Sequence, residues 1–147
     1  MKLKTCVFLI AALSLFIHTQ AQKIDSLKAL LPNTTGTVRA DVLIELAREN
    51  INIDYKVSNR YALEAMSIAK HLNDSVRIVL SGRLLATTMR KLDMLDSSIN
   101  LYRRIIPIAR KKKLSNELKR SANSLGISYL MKARYDSALK YFFESRI

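Results

Sequence analysis

The sequence predicts an all-α chain of antiparallel helical hairpins stacked about three deep, and three observations carry that prediction. Helix formers dominate the 147 residues, Gly occurs three times and Pro twice, and no stretch alternates with period two for long enough to suggest a sheet. The closing stretch 119–147 puts Ala122, Leu125, Gly126, Tyr129 and Ala133 at the spacing of one helix face, breaks over 132–134, and resumes from Asp136 through Ala138, Leu139, Phe142 and Phe143. Residues also recur at a spacing of 40: Leu85 with Leu125, Ala86 with Gly126, Met89 with Tyr129, Ser98 with Ala138 and Tyr102 with Phe142.

Residues 1–21 stand apart from this pattern. Lys2 and Lys4 precede an apolar run over 7–17, and Thr19-Gln20-Ala21 offers a small-residue cleavage site before Gln22, which is how a secretory signal peptide reads. The run is shorter than the roughly 20 apolar residues that span a bilayer. Cys6 lies inside the 1–21 segment and not at its junction, which argues against a lipid-anchored product. The chain beyond it has no cysteine, hence no disulfide framework and no thiolate metal site.

A leading helix and turn are expected over 22–36, with Ile24, Leu27, Leu30 and Leu31 on one side, ended by the turn chemistry of Pro32 to Gly36. Thr37 is then placed to cap a helix over 38–51 whose buried stripe is Leu43, Leu46 and Ala47. Its partner carries Ala62, Ala65, Met66 and Ala69 on one face. The next pair has Val79, Gly82, Leu85, Ala86 and Met89, then a helix capped by Asp96 with Ile99, Tyr102, Ile105 and Ile106. Pro107 should kink or end that helix, because it lacks an N–H and crowds the preceding turn. In the last pair Gly126 and Ala138 let two backbones approach, with Tyr129 and Phe142 beside the crossing. The units are expected over 37–72, 75–112 and 115–147. The first is one residue shorter in its inner turn, since Leu46 and Ala47 precede Leu85 and Ala86 by 39.

The run L-G-x-x-Y at 125–129, followed by Y-D-x-A-L-x-Y-F at 135–142, resembles a tetratricopeptide repeat. Leu85, Ala86, Leu125, Gly126, Tyr129, Ala138 and Phe142 are the repeat-defining residues. The resemblance implies a right-handed α-solenoid whose first helices line a concave groove that holds a peptide or protein. Forty exceeds the roughly 34 residues of the standard repeat, and the extra residues are expected in outer helix ends and linkers. Asn50, Ser58 and Ser98 depart from the pattern of the last pair. A signal peptide followed at once by such repeats resembles the exported N-terminal region of Bacteroidetes sensor kinases and regulators, which implies the sensing or scaffold portion of a longer signalling protein, anchored by a membrane helix further on. Ile147 falls inside the last helical pattern without a stop signal, so a C-terminal truncation is expected; otherwise Phe142, Phe143 and Ile147 would pair with another copy.

Catalysis is not expected. His18 lies in the leader and His71 stands alone at a helix end, so zinc sites of the usual kind are excluded. Asp41, Glu45 and Glu49 recur every four residues beside Arg48 and Lys56, which suits a salt-bridged helix face. Gly36, Gly82 and Gly126 are isolated, so no phosphate-cradling loop is present, and Ser124, Ser128 and Ser137 have no His to activate them. No cofactor or metal is expected. Asp-Ser plus an aliphatic residue, at Asp25, Asp74 and Asp136, is similar to an O-glycosylation acceptor of exported proteins; helix capping accounts for the same residues.

The formal charge is +13, and +11 without Lys2 and Lys4. Such a balance favours acidic partners, while export argues against nucleic acid. Arg110 to Lys113 reads as a solvated helix end that complements the helix dipole. Mapped onto the resemblance, the groove would be lined by Arg48, Arg83, Thr87, Arg90, Lys91, Arg120, Asn123 and Ile127. Arg83, Thr87 and Arg90 share one helix face, and with Arg48 and Arg120 they would form a basic stripe for carboxylates. Thr87 stands where the carboxylate clamp of some such repeats has Asn, so that particular activity is not implied. The expectation is an exported, periplasmic interaction module for a peptide or protein, acidic in character. The alternatives are a self-associating assembly protein using its last hairpin, or a cationic membrane-surface binder.

Overall fold

The computed structural model describes residues 20–146, and the described residues form seven α-helices and no strand. Helix α1 covers 20–30 and runs into a 3-10 turn, Leu31–Asn33. Then follow α2 (Gly36–Asn50), α3 (Tyr55–His71), α4 (Ser75–Lys91), α5 (Leu95–Lys111), α6 (Ser115–Met131) and α7 (Tyr135–Glu144). The expected signal peptide lies outside the described residues except for Gln20 and Ala21, which lie in α1. Ile147 also lies outside them.

The period of 40 has a simple local cause. Helices α3 to α6 each have 17 residues, and three residues join each to the next. The extra length relative to a shorter repeat therefore sits in the helices and not in the linkers. Each junction turns on one left-handed residue: Asn73, Asp93, Lys113 and Ala133, with φ of 52°, 62°, 56° and 54°. The residue after each donates its N–H to a carbonyl five positions back, Asp74 to Ala69, Met94 to Met89, Leu114 to Ala109 and Arg134 to Tyr129, all at 2.9 Å. This closes the helix end by the Schellman pattern. The turn between α2 and α3 has no such residue; Asp54 N–H bonds Asn50 O at 2.8 Å instead. That accounts for the spacing of 39 in the first pair.

Several local expectations are corrected. Thr35, not Thr37, precedes the first turn of α2, which opens at Gly36 with φ +56°. Met94 occupies the N-cap position of α5, and Asp96 lies in its first turn. Pro107 does not end α5, which runs on to Lys111. Pro107 and Arg103 are both exposed, so water can serve the Arg103 carbonyl that lost its donor. Leu30 is exposed and does not join the buried side of α1. Asp54 and Asp74 are side-chain caps, each accepting two N–H groups of the helix that follows.

Each helix packs on the next, and the stack has a defined curvature. Helix α2 touches α4 and α4 touches α6, whereas α3 does not touch α5 and α5 does not touch α7. Close inner helices and splayed outer ones make the α2–α4–α6 side concave. The core is continuous across hairpins: Leu43, Ala47, Ala62 and Met66 pack with Leu84 and Leu85 of the next pair, and Ile99, Tyr102 and Ile105 pack with Leu125 and Tyr129 of the one after. No single hairpin buries its own apolar face, so stacking stabilises the fold. A small-residue crossing lies inside each later pair. A Cβ on Gly82 would stand 2.9 Å from Ile105 Cγ2, and one on Gly126 would stand 2.6 Å from Phe142 Cε1 and 3.2 Å from Ala138 O.

The departures from the last pair's pattern are also explained by contact. Ser58 Oγ donates to Ala47 O at 2.6 Å and Ser98 Oγ to Ala86 O at 2.8 Å. A serine thus bonds the carbonyl at the small-residue position of its partner helix, where Ala138 simply approaches Gly126. Asn50 is buried and donates to Leu46 O at 2.8 Å, which satisfies its amide within α2.

Candidate functional site

The concave side is built by repetition: α2, α4 and α6 present equivalent positions every 39 or 40 residues. The groove residues expected from sequence occupy these helices in different states. Arg120 and Asn123 are exposed, and Ile127 is half-buried beside exposed Leu130 and Met131. Arg48 is half-buried and paired with Glu45 one turn back. Lys91 is exposed, and its Nζ donates to Ile51 O at 2.9 Å and Asn52 Oδ1 at 3.1 Å, which ties α4 to the carbonyl end of α2.

Arg83 and Thr87 are structural as well as superficial. Arg83 is buried, and its Nε donates to Glu117 Oε2 at 2.5 Å, joining α4 to α6 with side chains only 10% and 14% exposed. Thr87 Oγ1 donates to Arg83 O at 2.8 Å and lies 2.7 Å from Tyr102 Oη. Tyr102 is fully buried on α5, and its hydroxyl reaches between the inner helices toward Thr87 and Ser124. Burial raises its pKa, and the hydroxyl bonds oppose that shift in part. Arg90 is half-buried with an Nε that has no hydrogen-bond partner among the described residues. The cations of the expected stripe are therefore not equivalent. Arg48 and Arg83 already hold carboxylates, while Arg90 and Arg120 have no ion pair among the described residues.

The partners of these arginines were not legible from the motif alone. Arg77 on α4 donates from Nε and Nη2 to the two carboxylate oxygens of Asp41 on α2, at 2.8 and 2.6 Å. Arg77 also reaches Asp74 at 2.6 Å and is held firmly charged by the two carboxylates. The three carboxylates spaced by four on α2 each hold a cation: Asp41 holds Arg77, Glu45 holds Arg48 and Glu49 holds Lys23. They are spent on ion pairs. His71 is exposed in the last turn of α3, and no group of three or more metal-binding side chains occurs among the described residues. At the Asp-Ser motifs, Asp74 caps α4, Ser26 Oγ donates to Gln22 O, and Asp136 lies in the first turn of α7.

Net charge is segregated along the stack. Residues 22–76 contain seven basic and seven acidic side chains, whereas residues 77–147 contain 16 basic and 5 acidic. The whole excess thus belongs to the second and third hairpins. Arg110 to Lys113 are exposed at the end of α5, as a solvated helix end requires, and Arg110 pairs with Glu144 of α7. No helix among the described residues is long and apolar enough to cross a membrane.

No family model matches the chain, and no curated protein matches it. Among solved structures, the crystal structure of aspartyl phosphate phosphatase F from Bacillus subtilis is similar, with a TM-score of 0.71 and 18% sequence identity. The match covers 81% of this chain and 32% of that one, so the chain spans less than a third of that protein's length. The likeness is one of fold: a stack of helical hairpins of the tetratricopeptide-like kind.

Proposed function

We propose that this chain is a protein-interaction module that takes a peptide or protein segment along its concave side, and that it serves as the exported sensing or scaffold portion of a longer signalling protein. The observation that carries the reading is the packing asymmetry. The inner helices touch and the outer ones do not, which leaves a continuous concave face. Its side chains toward α6, namely Arg120, Asn123, Ile127, Leu130 and Met131, are not used up by the core. Exposed or half-buried Ile127, Leu130 and Met131 on α6, with Arg120 on the same helix and Arg90 on α4, suit a segment with large apolar and acidic side chains. Capture there would bear on the seams between hairpins, because Arg83–Glu117 and Arg77–Asp41 lie along the same face.

The test is selection of binders from a displayed library of acidic and neutral peptides. The double variant Arg90→Glu, Arg120→Glu should lose the selected peptides, and Arg104→Glu on the exposed outer helix should keep them. Equal binding by both variants would remove the concave site. Export is tested separately by the mass of the chain recovered from the cell envelope. A product beginning at Gln22 supports it, and an intact Met1 product in the cytoplasm refutes it.

A further inference from the structure

We infer that the cleft between the outer helices α5 and α7 binds a phosphate monoester group. It lies on the convex side, across the stack from the concave face, and does not depend on what that face binds. Splaying of the outer helices leaves a cleft of about 230 Å³ there, lined by Arg103, Pro107 and Arg110 of α5 and by Lys140, Tyr141 and Glu144 of α7. The two walls are tied to each other by the pair Arg110–Glu144.

The cations converge by helix spacing. Residues 103, 107 and 110 stand at i, i+4 and i+7, hence on one face of α5. Arg110 already has a carboxylate, whereas Arg103 and Lys140 are exposed and have no ion pair among the described residues. Tyr141 adds a hydroxyl to the lining, and its ring is held by stacking on Tyr129 with centroids 5.6 Å apart. The fold does not demand these groups. Forty residues earlier, between α3 and α5, Leu63 stands for Arg103, Asn100 for Lys140 and Leu101 for Tyr141. Gathering like charges in one cleft is unfavourable, and an anion seated among them removes the repulsion.

The charge of the cleft selects the ligand. Three cations against one carboxylate leave it at +2, and a phosphate monoester carries about −1.5 to −2 at neutral pH. A carboxylate or a phosphodiester, with a single charge, would neutralise half of it. Arginine also presents paired N–H groups that match phosphate oxygens. The volume is below the roughly 300–1,000 Å³ of cofactor-sized sites, so the cleft holds the phosphate and a few attached atoms. A small free phosphate ester and the terminal phosphate of a lipid headgroup present that same group.

Two arms of one experiment test the site. Calorimetric titration of the full chain at neutral pH and constant ionic strength compares methyl phosphate with dimethyl phosphate, and the monoester should bind about tenfold or more tightly. Sedimentation compares vesicles containing phosphatidic acid, a monoester, with vesicles containing phosphatidylglycerol, a diester. Binding of methyl phosphate in solution assigns a free ligand, and preference for phosphatidic acid without it assigns a lipid headgroup. Arg103→Leu with Lys140→Asn installs the residues of the α3–α5 cleft, and should weaken monoester binding about tenfold in whichever arm shows it. Arg104→Gln with Lys112→Gln removes the same charge outside the cleft, and should change binding by less than about twofold. Circular dichroism checks that both variants keep their helices. No preference for the monoester in either arm, or equal losses in the two variants, would overturn the inference.

Discussion

Arg77 and Glu117 occupy one position of the repeat, forty residues apart, and each is held by the opposite charge on the preceding inner helix. Arg77 takes Asp41, and Glu117 takes Arg83. Each pair fastens one inner helix to the next across a seam between hairpins.

Breaking the inner seam should cost more than breaking an exposed pair. Glu117→Gln leaves Arg83 charged in a site only 10% exposed, and a loss of about 2 kcal/mol is expected in urea unfolding. Asp96→Asn removes the partner of Lys132, where the carboxylate is 79% exposed, and should change stability by less than about 0.5 kcal/mol. Replacing both Arg83 and Glu117 by Leu should recover most of the loss. Equal effects at the two sites would show that burial does not set the strength of these pairs.

Gly126 is a helix residue whose replacement by Ala sets two effects against each other. Ala gains up to about 1 kcal/mol of helix propensity. Its Cβ would stand 2.6 Å from Phe142 Cε1 and 3.2 Å from Ala138 O, and only the ring can swing away. Overpacking of this kind costs about 1–3 kcal/mol, so Gly126→Ala should be net destabilising, and the added change Phe142→Leu should relieve it. A stabilised single variant would show that α6 and α7 slide apart freely.

Much of the architecture was legible because the chain repeats. Leu125, Gly126, Tyr129 and Ala138 announce a close helix crossing, and the spacing of 40 carries that crossing back to Leu85, Ala86 and Ser98. The shortened inner turn of the first pair was visible in the offset of 39. The break over 132–134 was legible, but the left-handed geometry of the junctions was not, because the residues that adopt it are Asn73, Asp93, Lys113 and Ala133. None is the Gly that usually marks such a turn. The state of the groove was not legible either. An arginine motif gives position, while the carboxylates that neutralise Arg77 and Arg83 lie 36 and 34 residues away on neighbouring helices. Opposite charges separated by slightly less than the repeat were the available clue.

Ala133 offers a stabilising change. It is exposed and held at φ 54°, a conformation that disfavours a Cβ by roughly 1–2 kcal/mol. Gly removes that strain but loosens the unfolded chain. Ala133→Gly should therefore gain about 0.5–1 kcal/mol, read as a raised midpoint in urea with an unchanged slope. No gain would mean that the turn between α6 and α7 relaxes out of the left-handed region in solution.

Acid should weaken the cap of α4. Asp74 Oδ1 accepts the N–H groups of Val76 and Arg77, and Oδ2 accepts Arg77 Nη1 at 2.6 Å. The Arg77 backbone N–H first, then its guanidinium, holds the carboxyl below its ordinary 3.8, and partial burial opposes them. A carboxyl whose pKa is lower in the folded than in the unfolded chain stabilises fully above the unfolded value, about 3.9. That contribution is lost as pH falls through the folded value. Asp74→Asn keeps an amide oxygen able to cap but removes the charge. It should cost about 0.5–1 kcal/mol at neutral pH, and the gap from the parent chain should close as the pH falls below the unfolded value and through the lower folded one. Urea titrations across that range decide the matter. A gap that stays constant with pH would mean that Asp74 acts through hydrogen bonding alone, without help from its charge.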